Sequence, residues 1–224
     1  GVPKRGTKGV EMKHPVTQRL YDYWDALRDG RPAPDRSEIE PGSIRSILGD
    51  TFILELIDAQ TYRYRLAGTR LCSLHCRELK NRNILRGWSE EDHEALATLL
   101  AAITEDAAAA VVGLSGFTER GQSVDMEMIL LPLHIPGEGC NRVLGACVAL
   151  EQPYWAGMHP ILSQTVKSVR LIWPDERPAF LSSSMVRRTS TVPSIRHEAG
   201  FVPASVAGSG RQVQHLMVID GGKS

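Results

Sequence analysis

The sequence predicts an α+β fold: a five-stranded antiparallel sheet with short helices and one long helix on one face, preceded by an amphipathic helix. Three observations point to it. Two apolar runs, 51–57 and 62–67, are separated by Asp58-Ala59-Gln60-Thr61, a tight hairpin loop. Ser89 then opens a long helical pattern with Glu90, Glu91 and Asp92 in its first turn. Three further strand-like runs follow, 111–119, 124–134 and 142–150, divided by Arg120-Gly121-Gln122 and Pro136-Gly137-Glu138-Gly139.

Residues 1–15 carry Lys, Gly and Pro and are expected to be a flexible N-terminus. In 17–29, Leu20, Trp24 and Leu27 fall at i, i+4 and i+7 with Tyr23 beside them, and Gly30 follows as a cap. Such a helix either packs on its own sheet or pairs with a second copy. The second reading makes Leu20, Trp24 and Leu27 interaction candidates in a homodimer. Residues 31–41 hold three prolines and form an extended loop, with Pro41 at the first turn of a short helix through 48.

Tyr62, Tyr64 and Leu66 alternate with Arg63, Arg65 and Ala67, the period of a strand with one face buried. Gly68 stops the strand. From Thr69, Leu71, Leu74 and Leu79 recur at helical spacing, with Cys72 and Cys76 between them. The long helix from Ser89 runs through Leu96, Leu99, Leu100 and Ile103 to about 109. Past 152 the pattern loosens. Val166, Val169 and Trp173 fit a helix, while Val169, Leu171 and Trp173 fit a strand, and both readings stand. Residues 174–210 are rich in Ser, Pro, Gly and Arg and read as a flexible tail, after which 213–219 (VQHLMVI) is apolar enough to dock as a strand. The division expected is therefore an N-terminus at 1–15, a domain at 16–152 and an extension at 153–224.

Hairpin, short helices, long helix and three more strands is the element order of a PAS domain. The segment RLAGTRLCSLHCREL, followed by GWSEEDHEAL, resembles the signature of a family of short stand-alone PAS proteins from alphaproteobacteria, over roughly 17–151. Arg65, Ala67, Gly68, Thr69, Leu71, Arg77, Glu78 and Leu79 carry the match. The resemblance implies a sensory or regulatory module acting by protein–protein interaction on a signalling partner in trans. It also implies a cavity between sheet and helices, for which Leu71, Cys72, His75, Cys76, Trp88, Met126 and Met128 are the ligand-binding candidates. The same side chains could equally fill a core. No cofactor is identified. Flavin-binding relatives resemble one another through a GxNCRFLQ-like motif from which CSLHCREL departs, and His93 lies only one turn into the helix that would have to supply a haem ligand.

Composition excludes several classes. The formal net charge is zero with a pI near 7.2, so no global field steers the chain to nucleic acid. Arg63, Arg65, Arg70, Arg77, Arg82 and Arg86 do make the centre locally basic, which reads first as a solvated face paired with Glu78, Glu90 and Glu91 and otherwise as suited to a phosphorylated ligand or an acidic partner, with Arg65 and Arg70 as interaction candidates. No aromatic residues interleave with them beyond Tyr64, which argues against nucleic acid. No apolar run reaches the ~18 residues of a membrane span, and the expected location is the cytoplasm. Cys72, Cys76, Cys140 and Cys147 form no CxxC, and CSLHC reads as small core-filling thiols rather than a metal site. Walker, GxGxxG, GxSxG, HExxH and kinase motifs are absent, so no catalytic residue is expected and the chain is not expected to be an enzyme. A small-molecule binding protein without signalling output is the alternative.

Overall fold

In the computed structural model, which describes residues 12–175, six antiparallel strands form a single sheet in the order β2-β1-β5-β4-β3-β6. They are β1 (Thr51–Asp58), β2 (Thr61–Ala67), β3 (Ala109–Thr118), β4 (Ser123–Ile135), β5 (Gly139–Ala149) and β6 (Ile161–Ile172). Helix α1 (Pro15–Arg28) precedes the sheet, while α2 (Thr69–His75) and α3 (Glu90–Asp106) fill the crossover between β2 and β3. The fold is the expected α+β arrangement with one more strand. That strand comes from the segment whose sequence fits two periods. It pairs with β3 from Thr118↔Ile161 to Ala109↔Ile172, and Val166, Val169 and Leu171 pack partly buried on the core, so sheet pairing decides the ambiguity.

The sheet is covered on both sides, which explains why β4 is apolar at every position from Met128 to Leu133. Met126, Met128 and Leu130 face an inner cluster shared with α2 and α3. Ile129, Leu131 and Leu133 face an outer cluster shared with α1 and with Ile39, Ile44 and Ile47 of the loop before β1. Leu20 and Trp24 belong to that outer cluster at 0% and 1% exposure, with Leu27 packed against it. The interface reading of these residues is thereby corrected: α1 lays its apolar face on its own sheet, and Trp24 Nε1 donates to the Pro132 carbonyl at 2.8 Å. Apolar area removed from water within the chain is not available to a second copy.

Helix α3 begins where its cap predicts, with Ser89 Oγ accepting from Asp92 N at 3.3 Å. It stops at Asp106 rather than near 109, with Ala107 at φ 53°. The alanines that follow favour a helix intrinsically, but Ala108, Ala109 and Ala110 are needed as fully buried small residues entering β3, and tertiary packing overrides propensity. Met12 is buried and Pro15 opens α1, so the described residues 12–15 of the segment expected to be flexible are part of the fold. The docking strand expected at 213–219 and the tail from 176 lie outside the described residues.

Candidate functional site

The first candidate is the inner face. Leu71 and Cys72 on α2 and Met126 and Met128 on β4 come together in one apolar cluster, between 1% and 8% exposed, and Trp88 packs against it, its Nε1 donating to the Ile84 carbonyl at 2.8 Å. His75, also buried, reaches the same side at the end of α2. Burial lowers its pKa to about 4, and a hydrogen bond with the Ile161 backbone only partly opposes this, so the imidazole is neutral at physiological pH. Burial raises the Tyr64 phenol and pushes the Cys147 thiol up to about 12, so both stay protonated. The buried residues of this cluster are apolar or uncharged.

Cys76 does not belong to it. Helix α2 ends at His75, and Cys76 takes the left-handed cap conformation at φ 48°, which turns its side chain to solvent and its Sγ toward the Ser73 carbonyl. Left-handed backbone at a non-glycine residue is uncommon, and it breaks the helical spacing that puts Cys72, His75 and Cys76 on one face. Among the described residues no group of three or more His, Cys, Asp or Glu side chains is placed to hold a metal ion.

The second candidate is the junction where α2 meets the outer layer. Gly68 N donates to the Thr51 carbonyl at 2.8 Å, and a Cβ on Gly68 would collide with the backbone oxygens of Gly49 and Leu48. Glycine is required here by close approach; its φ of −68° is ordinary. Two residues on, Arg70 forks onto Asp50 at 3.0, 3.0 and 2.7 Å and donates to the Ser46 carbonyl at 3.0 Å. Arg70 therefore ties an inner-face helix to the loop lying under α1. A groove of about 400 Å³ runs along this seam, with His14, Ser46, Asp50, Arg70 and Ser73 among its lining residues. His14 is the N-cap of α1, its Nδ1 accepting from Val16 N at 3.1 Å.

The third is the outer face at the β2 end of the sheet. Glu55 on β1 lies opposite Arg63 on β2 and Arg142 on β5. Its carboxylate meets Arg63 at 3.3 Å, Arg65 at 2.9 Å and Arg142 at 3.2 Å. Burial acts to raise the Glu55 pKa, but hydrogen bonds from Arg65 and Arg63 and the charge of Arg142 outweigh it and hold the carboxyl below its ordinary value. Of the sequence-predicted basic cluster, Arg63 and Arg65 are here and Arg70 is at the junction. Glu55 and Arg142 were not foreseen, because only strand register places them side by side. Nor was Glu127, an acidic residue inside an apolar strand, whose carboxylate accepts from Lys13 N, His14 N and Thr17 Oγ1 at the start of α1. Its position between Met126 and Met128 was the available signal.

Among the described residues no helix is long and apolar enough to cross a membrane. No curated protein matches the chain. Solved structures similar to it include a light-oxygen-voltage domain studied with a flavin analogue, 15% identical, covering 50% of this chain and 85% of that one with a TM-score of 0.38. An RNA-binding light-oxygen-voltage receptor is 17% identical, covering 52% of this chain and 36% of that one, TM-score 0.39. The PAS domain of an HTR-like protein from Haloarcula marismortui is 19% identical, covering 48% and 89%, TM-score 0.35. The model of the PAS domain family matches residues 12–148, more than half of the chain and the span from the start of α1 to within one residue of the end of β5, and the chain belongs to that family.

Proposed function

We propose that this chain is a non-catalytic regulatory PAS module of the cytoplasm that acts in trans on a signalling protein, with the seam between α2 and α1 as the part that changes. Membership of the PAS family supports a sensory or signalling domain. The resemblance to stand-alone PAS proteins of alphaproteobacteria supports an output delivered to a separate polypeptide. The observation that carries the reading is the Arg70 fork onto Asp50 and Ser46, which joins the helix beside the inner core to the loop that supports α1. A partner side chain or small ligand entering the groove along that seam touches His14, Asp50 and Arg70 together. Contact energy that differs between the docked and undocked arrangements of α1 shifts the balance between them.

The inner face supports recognition at the surface over an enclosed ligand, since Leu71, Cys72, Met126 and Met128 are buried together in one apolar cluster. Native mass spectrometry of the purified chain, compared with the denatured chain, tests this. The expected result is a monomer or dimer at sequence mass. An apolar organic molecule that survives transfer to volatile buffer and leaves on denaturation would move the reading to a small-molecule binding protein.

A further inference from the structure

At the β2 end of the outer face, beyond the reach of α1, a groove of about 370 Å³ is lined by Arg36, Glu55, Arg63, Arg65, Lys80 and Asn81, with Leu66 beside them. These residues arrive from three separate parts of the chain: the 3-10 turn at Arg36–Glu38, the β1–β2 hairpin and the loop after α2. With Arg142, which also reaches Glu55, five cations surround the groove that holds one carboxylate. That carboxylate is already shared among Arg63, Arg65 and Arg142. Arg36 and Lys80 have no ion-pair partner among the described residues, and Arg63 Nε is buried without a hydrogen-bond acceptor. In a chain of zero net charge this excess of cations over carboxylates is local, and its positive field favours an anion at the groove.

We propose that this groove binds the phosphate group of a small, multiply charged phosphorylated molecule. Planar guanidinium groups present paired donors that match phosphate oxygens, and Lys80 adds a mobile point charge at the rim. The volume suits a small metabolite rather than a folded partner. No aromatic ring lines the groove, so it has no stacking platform for a nucleic-acid strand. The site lies apart from the seam at Arg70 and does not depend on the regulatory reading given above.

The test is a calorimetric titration of the full chain with pyrophosphate at low ionic strength, repeated at higher salt. Four variants accompany it: Arg36→Ala, Lys80→Ala, the two combined, and Arg120→Ala as a control in the exposed β3–β4 turn. Neither Arg36 nor Lys80 is in an ion pair that holds the fold, so these variants stay folded. One-to-one binding is expected, weakened at least tenfold when Arg36 and Lys80 are both removed and unchanged by Arg120→Ala. Absence of binding, or binding reduced equally by Arg120→Ala, overturns the proposal. A tetraglutamate peptide that binds more tightly than pyrophosphate overturns it as well, in favour of an acidic protein partner.

Discussion

His75 sits 9% exposed against the inner core, and its imidazole can accept a proton only by bringing a charge into an apolar space. Its pKa in the fold is about 4 against an ordinary 6.5, so the unfolded chain binds the proton more readily. Stability contributed by the neutral ring is therefore complete above pH 6.5 and is lost as pH falls from 6.5 toward 4, by up to about 3 kcal/mol. Urea unfolding at pH 7 and pH 4.5 should show this loss in the native chain and a clearly smaller one in His75→Gln. Equal losses would mean that acid acts elsewhere. Gly68 makes a second claim at the same scale. Even Gly68→Ala places a methyl group against the Gly49 backbone, which cannot rotate away as a side chain could. The expected cost is about 1–3 kcal/mol, read as a lower thermal midpoint; an unchanged midpoint would show that the junction opens freely.

Helix α1 is fastened at its start by a carboxylate from the sheet and at its end by its own Arg28, which reaches the segment after β6. At its start the buried Glu127 carboxylate takes the Lys13 and His14 amides at 2.7 and 3.0 Å, beside the Thr17 hydroxyl. At its end Arg28, 4% exposed, pairs with Asp25 at 2.7 Å, lies over the Trp24 ring at 4.8 Å and donates to the Pro174 carbonyl at 2.7 Å. Glu127→Ala strands several buried donors at once and should destabilise the fold by at least about 2 kcal/mol, with faster amide exchange in the first turn of α1. Trp24→Ala should cost about 3–5 kcal/mol through the cavity it leaves, with no role as a subunit contact. Little change in urea midpoint for either variant would mean that α1 is only loosely applied. The sequence made α1, the hairpin and the three later strands legible because alternation, turn residues and caps are local signals. Its apolar stripe did not say whether the helix faces its own sheet or another copy, because both bury the same residues. The end of α3 and the nature of β6 were hidden for a related reason: alanines and valines accept either structure, and only the neighbouring strand decides.

Across the whole molecule, the sites are sets of residues that register and chain reversal bring together. The basic character of 63–86 was visible, yet Glu55, Arg142, Arg36 and Lys80 acquire meaning only as neighbours, and Cys76 loses its role to one left-handed residue. The same assembly links the two layers around the sheet. Arg70 is on the inner-face helix, Asp50 and Ser46 belong to the loop that carries Ile44 and Ile47 into the outer cluster, and Leu20, Tyr21 and Trp24 of α1 belong to that cluster too. The Arg70 side chain is 56% exposed, so its fork is worth about 1 kcal/mol or less to global stability. Arg70→Ala should therefore barely move the unfolding midpoint. What it removes is a mechanical connection, and local opening is sensitive to that where global unfolding is not. Hydrogen–deuterium exchange should rise in 44–50 and in the first turns of α1 while α3 and the central strands keep their protection. Such a pattern would place the two layers in one responsive unit, able to carry an event at the groove along the seam to the helix on the far side of the sheet. A rise confined to α2 would show instead that the layers open independently and that the outer helix senses nothing of the inner one.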